Sequence, residues 1–210
     1  MMQRHTLLDR FIINFDQGLR TVLGQPIATG RANPASSIQE TALSDPEKQL
    51  AVRLMRVNHA GEVSAQALYQ GQSLVARNRT VHNRLQQSAF EENDHLVWCK
   101  SRVQDFDGHV SLLNPLWYAG SLTIGVIAGI AGDKWSLGFV VETEHQVIRH
   151  LDEHLKQLPA TDLKSRAILE QMKEDEAHHA TVAIESGGVP LPALMRWLMK
   201  RAAKVMTKTA

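Results

Sequence analysis

Hydrophobic residues recur at helical spacing along most of the chain, and the alternating pattern typical of β-strands is rare. Leu7, Phe11, Phe15 and Leu19 stand four residues apart and predict an apolar stripe on an N-terminal helix. A loop rich in Gly, Pro and Ser follows at 24–37. Further helices are predicted at about 45–77, 80–106, 115–131, 134–158, 161–187 and 190–210. Long helices with short connections predict an all-α bundle.

Signals at the helix ends suggest how the chain is divided. Ser44 and Glu47 form a capping box around Pro46, and Thr161 is the expected cap of the helix that follows it. We expect three parts: an N-terminal amphipathic helix and linker at 1–43, a bundle at 44–189 that includes an apolar helix at 115–131, and a basic amphipathic C-terminal helix at 190–210.

Composition narrows the classes of protein. The 210 residues are 43% apolar, which is enough for one sizeable domain with a hydrophobic core. The net charge of +1 gives no overall electrostatic reason to bind nucleic acid. Cys99 is the single cysteine, so no intrachain disulfide can form and a reducing compartment is expected. Asp9, Arg10 and Asp16 interrupt any signal-peptide pattern, which indicates a cytoplasmic or cytoplasm-facing protein.

Candidate chemistry begins with KEDEAHHATV at 173–182. Glu176 and His179 are three residues apart on a helix face that also carries Leu169, Met172, Ala180 and Ala183. The neighbouring face is more polar, and it is expected to expose Glu174, Asp175 and His178. Glu92 and His95 repeat the Glu-x-x-His spacing on another apolar face.

A third Glu-x-x-His, Glu142 to His145, competes with Glu144. The neighbours of Glu144 at helical spacing are all apolar, so a carboxylate there must be protonated, paired or bound to metal. Glu142 lies on a more polar face, and we therefore select Glu144. Glu62 lies on a mixed face, and periodicity alone supports it less.

The selected residues form a repeated pattern: Glu62 precedes Glu92-x-x-His95, and Glu144 precedes Glu176-x-x-His179. This inventory is typical of the ferritin-like bundles that hold two iron or two manganese ions. Carboxylates can bridge two metals, and imidazole suits iron. Four glutamates would balance two ferrous ions, and the few ligands would leave positions open for O2.

The segments RVNHAGE, EENDH, VVETEHQV and EDEAHHA resemble the demethoxyubiquinone hydroxylase family, and the resemblance covers roughly residues 45–185. It implies a ferritin-like fold and two iron ions. It also implies six metal ligands: Glu62, Glu92, His95, Glu144, Glu176 and His179. The choice of Glu62, which periodicity leaves open, rests on this resemblance. His150 falls where the family has a histidine close to the metals, either in an outer position or as an alternative ligand.

The resemblance also implies the reaction. The substrate would be a 2-polyprenyl-3-methyl-6-methoxy-1,4-benzoquinone or its quinol, and one atom of O2 would enter the ring while the other leaves as water. Electrons would arrive through the quinone, with NADH as the candidate ultimate donor. The chain has no Gly-x-Gly-x-x-Gly and hence no obvious dinucleotide site of its own.

Two segments suggest how the protein gains access to a lipid-like substrate. Val110 to Gly132 carries no charge, but a helix starting at Pro115 would measure only about 25 Å, short of the ~30 Å hydrocarbon core. We expect it to enter one leaflet or line a channel for the substrate tail; a buried core helix is the alternative. The last helix repeats Arg196, Lys200, Lys204 and Lys208, which is typical of membrane-surface binding. Alternatively, it packs on the bundle with a solvated basic face.

We therefore expect a peripheral di-iron monooxygenase at the cytoplasmic face of the cell membrane. Its partners would be the quinone, the membrane surface and, as candidates, a second copy of the chain or other ubiquinone-biosynthesis proteins. Two rival functions use the same bundle: ferritin- or rubrerythrin-like iron storage and peroxide scavenging, and non-enzymatic interaction with membranes. Whether Glu142 or His145 takes part is left open by the sequence.

Overall fold

The computed structural model describes residues 6–22 and 26–210, apart from the side chains of residues 7, 8, 10 and 11, and all regular structure in this part is helical. Half of the predicted N-terminal stripe, the side chains of Leu7 and Phe11, lies outside the described part. The helices are α1 Leu7–Val22, α2 Asp45–Val75, α3 Arg79–Gln104, α4 Asn114–Ile130, α5 Asp133–Gln157, α6 Leu163–Glu185 and α7 Ala193–Thr209. The predicted all-α class is confirmed.

Two helical hairpins form the centre of the bundle. Short connections turn α2 back onto α3 and α5 back onto α6, so the helices of each pair run antiparallel. Two separate apolar clusters lie along their shared axis. One contains Leu54, Trp98, Leu151 and Met172; the other contains Tyr69, Leu85, Val140 and Ala183. The polar residues of the site lie between these two apolar layers.

Helix α4 crosses over from one hairpin to the other, and it runs parallel to α2. A Cβ atom added at Gly125 would overlap the backbone of Leu68, and one added at Gly71 would overlap the backbone of Leu122. Further along both helices, Gly129 approaches Gln72. The Gly125-x-x-x-Gly129 spacing therefore marks a close contact between helices, as the sequence predicts. Such a long crossover is a feature of ferritin-like folds.

The helix caps agree with the sequence at one end of the bundle and differ at another. Glu47 accepts a hydrogen bond from the backbone N–H of Ser44 at 2.8 Å, as the capping box predicts. The expected cap at Thr161 is wrong: Asp162 accepts from the backbone N–H of Ser165 at 3.1 Å. The same Asp162 oxygen accepts from the buried Arg102 guanidinium at 2.7 Å, which holds this carboxylate at the start of α6.

The three helices outside the hairpins expose much apolar surface. Helix α4 buries only Asn114, Gly125 and Gly129, which argues against a core helix. It presents Leu116, Ile124, Ile127 and Ile130 outward. Helix α7 buries none of its residues. Among the helices of the described ranges, none combines the length and the apolar character needed to cross a membrane.

Candidate metal centre

The structure brings the six predicted ligands together in the middle of the bundle. Two groups of ligand atoms each lie within 4.8 Å of one another: Glu62, Glu92, His95 and Glu176 in the first, and Glu92, Glu144, Glu176 and His179 in the second. Both groups contain Glu92 and Glu176. Each of these two carboxylates therefore lies between two positions at which a cation could bind.

The helix pattern explains why these side chains meet. Glu92 and Glu176 each stand one helical turn before a histidine, so each pair projects from a single face of α3 or α6. Glu62 on α2 and Glu144 on α5 supply the remaining carboxylates. Each ligand group takes residues from both hairpins, and the site is complete only when the hairpins pack together.

Burial and unsatisfied hydrogen bonding indicate which kind of ligand the cluster can bind. The four glutamates are 0–2% exposed. Each has one carboxylate oxygen that makes no well-aligned hydrogen bond among the described residues: Glu62 Oε2, Glu92 Oε1, Glu144 Oε2 and Glu176 Oε1. Two of these oxygens, Glu92 Oε1 and Glu176 Oε1, lie 3.2 Å from an imidazole nitrogen. Buried carboxylates in this condition are costly unless their charge is neutralised. Four such oxygens with two imidazoles form a donor set that suits two divalent cations such as Fe²⁺ or Mn²⁺.

Both imidazoles direct Nδ1 at the shared carboxylates. His95 Nδ1 lies 2.9 Å from Glu92 Oε2 and 3.2 Å from Glu176 Oε1. His179 Nδ1 lies 3.2 Å from Glu92 Oε1 and 3.2 Å from Glu176 Oε2. The two histidines thus approach different oxygens of the same two carboxylates. A carboxylate that bridges two ions needs this arrangement.

Two further acids orient the histidines from outside. His95 Nε2 lies 2.9 Å from Asp175 Oδ2, and His179 Nε2 lies 2.8 Å from Glu91 Oε2. A carboxylate on the outer nitrogen fixes the ring and leaves the inner nitrogen to bind a metal. The sequence-based expectation that Asp175 faces solvent is therefore wrong, whereas Glu174 and His178 are exposed as predicted.

The sequence does carry a signal for these outer acids. An acid stands immediately before the glutamate of each motif, in Glu91-Glu92-x-x-His95 and in Asp175-Glu176-x-x-His179. The acid of one helix reaches the histidine of the other, so the contacts are reciprocal between α3 and α6. An analysis of one helix at a time places both acids on a solvent-facing side, and it cannot predict these contacts between α3 and α6.

Tyr69 is another functional candidate that sequence reasoning missed. Its hydroxyl donates a hydrogen bond to Glu144 Oε1, and its ring packs edge-on to His179 with centroids 6.3 Å apart. It stands seven residues after Glu62 on α2, so both side chains point into the bundle. The hydroxyl therefore restrains the Glu144 carboxylate from the side of the second apolar layer.

Burial is the main influence on the pKa values in the cluster. Together with the charges of neighbouring carboxylates, it raises the pKa of Glu62 and of Glu144 well above the ordinary value. Burial opposes protonation of His95 and His179, but the carboxylates around them outweigh it and raise both pKa values. At Glu92 burial acts upward, yet the two imidazoles reverse the balance and lower the pKa. These shifts favour the protonated forms of Glu62, Glu144, His95 and His179 when no metal is bound.

The competing residues of α5 lie away from the cluster. Glu142 accepts from the Gln146 amide at 2.8 Å, and His145 is exposed. Neither ligand group includes either of them. His150 also lies outside both groups; its ring packs at a tilt of 58° against that of His154, with centroids 3.9 Å apart. The role of His150 near the metals stays a prediction.

The fold and the cluster together define a ferritin-like bundle whose buried carboxylates and imidazoles could hold metal ions. Comparison with known families then identifies the group: the model for ubiquinone biosynthesis protein COQ7 matches residues 49–210. The chain belongs to the COQ7 family, which confirms the resemblance seen in its motifs.

Relatives agree along nearly the full chain. A protein of Nitrosococcus oceani named 3-demethoxyubiquinol 3-hydroxylase is 62% identical over 208 residues, covering 99% of this chain and 97% of the relative. Proteins with the same name from Cupriavidus pinatubonensis and Nitrosomonas eutropha are 55% identical over 205 residues and 53% identical over 203 residues. These alignments cover 97% of this chain in both cases, and 99% and 97% of the relatives.

Proposed function

We propose that this protein is a 3-demethoxyubiquinol 3-hydroxylase that acts in ubiquinone biosynthesis. The substrate would be a polyprenyl quinol or quinone of the type its relatives are named for. The observation that carries the proposal is the pair of buried ligand groups that share Glu92 and Glu176. This arrangement suits two neighbouring metal ions, and the full-length relatives supply the reaction class.

The residues would divide between two iron ions. Glu62 and His95 would bind one ion, Glu144 and His179 would bind the other, and Glu92 and Glu176 would bridge them. Iron held there supplies the reduction of O2 and the transfer of one oxygen atom to the ring. An external donor, for which NADH is the candidate, supplies the electrons.

The surrounding residues position and shield these ligands. Asp175 and Glu91 hold the outer nitrogens of the two histidines, which directs both Nδ1 atoms inward. Tyr69 restrains Glu144 through its hydroxyl. The apolar layers on both sides keep bulk water from the carboxylates and strengthen every electrostatic contact between them.

The test is hydroxylation by full-length, iron-reconstituted protein with a demethoxyubiquinol under ¹⁸O2. We expect one ¹⁸O atom in the ring hydroxyl and about two iron ions per chain. Glu144→Gln should lower the rate by at least about 100-fold, because removing a ligand exceeds the loss of an outer partner. Glu142→Gln, two residues away and outside the cluster, is the matched control and should keep near-normal activity. Product without ¹⁸O, or full activity in Glu144→Gln, would refute the proposal.

The same measurements separate the rival functions. Iron storage predicts rapid uptake of many more than two ferrous ions per chain and no product from the quinol. A non-enzymatic bundle predicts no stoichiometric metal and an unchanged fold when the glutamates are replaced. The burial of four glutamates around two imidazoles, each with an oxygen that makes no well-aligned hydrogen bond, favours the metal centre over the second rival.

We also propose that the protein binds the cytoplasmic face of the cell membrane from one side. Two observations support this placement. Helix α7 exposes both its apolar residues, among them Leu194, Trp197 and Leu198, and its basic residues. Helix α4 exposes an uncharged apolar face. A basic amphipathic helix with an uncovered apolar face is typical of binding at the surface of anionic membranes.

Flotation with vesicles of phosphatidylcholine, alone or with anionic phosphatidylglycerol, tests this placement. Leu198→Ser should weaken binding by at least roughly 10-fold, since burying one leucine is worth about 1.5–3 kcal/mol. Lys204→Gln should weaken binding only to the anionic vesicles, by roughly 5-fold. The control is Ile184→Ser, which replaces another exposed apolar residue outside α4 and α7. Equal binding of all four proteins would contradict the proposed surface.

A further inference from the structure

The segment before α2 is fastened to the outer side of the metal centre. Thr29 donates to the Asp94 carboxylate from its backbone N–H at 2.8 Å and from its hydroxyl at 2.5 Å. Asn93 donates to the Ile27 carbonyl at 2.9 Å. Asp94 is fully buried and directly precedes His95 in α3. The segment therefore lies against the part of α3 that carries one of the candidate metal ligands.

Arg31 in this segment touches both groups that support His95. Its Nη2 lies 2.8 Å from Asp175 Oδ2, the same oxygen that lies 2.9 Å from His95 Nε2. Its guanidinium also lies over the Trp98 ring at 5.1 Å, and the Trp98 ring is 5.5 Å from that of His95. One cation thus contacts the acceptor and the aromatic neighbour of the same imidazole. Each contact is direct in the structure.

Among the described residues, no cation makes the equivalent contact near the opposite histidine, His179. Glu91, which orients His179, accepts a hydrogen bond from the neutral amide of Gln87 at 2.7 Å. Within the described ranges, Glu91 has no ion pair other than the one with His179. The two halves of the cluster repeat the same motif, but only the His95 half is tied to the segment before α2. This asymmetry distinguishes the two metal positions.

We infer that Arg31 is a positioning residue that holds His95 through Asp175 and thereby couples the segment at 26–43 to one of the two metal positions. The inference rests on the proposed metal centre but not on the hydroxylation. Arg31 neutralises the Asp175 carboxylate and fixes its Oδ2 atom, which then accepts from His95 Nε2. The ring is held with Nδ1 toward Glu92 and Glu176.

Coupling of this kind works in both directions. If the docked segment strengthens metal binding at the His95 position, metal at that position must stabilise the docked segment by the same free energy. The backbone N–H of Thr29 reports the docking directly, because it exchanges with solvent only when its bond to Asp94 opens. The segment and the ion can therefore be followed separately.

The test is titration of metal-free, full-length protein with Co²⁺, followed by visible absorption, beside hydrogen exchange at Thr29. Wild type should bind two ions, and loading should slow exchange at Thr29. Arg31→Met should weaken one of the two binding events by roughly 10–100-fold and leave the other nearly unchanged. It should also abolish the effect of metal on Thr29. Arg31→Lys, which keeps the charge, should recover much of both effects.

Arg149→Met is the matched control, because Arg149 is exposed and pairs with Glu142 outside the cluster. It should change neither binding event. If Arg31→Met loses helical content, Arg31→Gln is used in its place. Wild-type affinities at both positions in the Arg31 variant would overturn the inference, and so would equal weakening of both. Failure of wild type to bind two ions would instead refute the metal centre itself.

Discussion

Metal binding at the buried cluster should displace protons, because the metal-free cluster holds them in place of the ions. Burial raises the pKa of Glu62 and Glu144, and surrounding carboxylates raise those of His95 and His179 despite burial. Below its raised pKa, each of these four groups carries a proton that a bound ion excludes. Loading two ions should therefore release protons, up to four per chain.

The sign of the pH dependence follows from this count. The metal-free protein binds more protons than the loaded protein, so raising the pH favours the loaded form. Each displaced proton makes the overall association constant for two ions rise about tenfold per pH unit, up to about 10⁴-fold for all four. The effect should persist until the most weakly held of the four protons is lost.

Calorimetric titration with Co²⁺ in buffers of equal pH but different ionisation enthalpy measures the released protons directly. Glu144→Gln should lower the number and remove one of the ions, because it deletes a proton-holding ligand of the second group. Glu142→Gln should match wild type, since it lies outside both groups. Release of fewer than about one proton per pair of ions would refute the reasoning that burial keeps the empty cluster protonated.

Three further predictions concern single contacts. Tyr69→Phe removes the donor to Glu144 and should slow hydroxylation about 10-fold with both ions retained, as single-turnover rates and iron analysis would show. Gly125→Ala should lower the free energy of unfolding by about 1–3 kcal/mol in urea because α2 and α4 must separate, whereas Gly120→Ala, which meets nothing nearby, should not lower it. Arg102→Met leaves buried acid without its cation and should cost about 3–5 kcal/mol in the same assay; a loss below 1 kcal/mol would contradict this.

Five of the six inward ligands could be predicted because each is decided by the face of one helix, whereas Glu62 lies on a mixed face and needed the family resemblance. An apolar face around Glu144 and around Glu176 leaves those carboxylates no solvent, and the structure buries both. The preference for Glu144 over Glu142 rests on the same one-helix argument, and in the structure the cluster includes Glu144 but not Glu142. Helical periodicity is enough where burial depends on the face of a single element.

Contacts between elements could not be predicted in this way. Asp175 looks solvent-facing on α6, but His95 on α3 and Arg31 in the preceding segment come to it in the folded chain. Likewise Asp162 replaces Thr161 as a cap because the buried Arg102 of α3 draws its carboxylate inward. Such partners lie far apart in sequence, and no periodic pattern joins them.

The division of the ligands between two hairpins also sets when the site can form during synthesis. The α2–α3 hairpin carries Glu62, Glu92 and His95, while Glu176 and His179 lie on α6. On the ribosome, the first hairpin emerges with an incomplete set of donors, and neither four-residue group exists until α6 has emerged and packed. Iron should therefore enter only after α6 has left the ribosome and packed against the first hairpin. The order of synthesis would then prevent the nascent protein from binding metal before its ligands are complete.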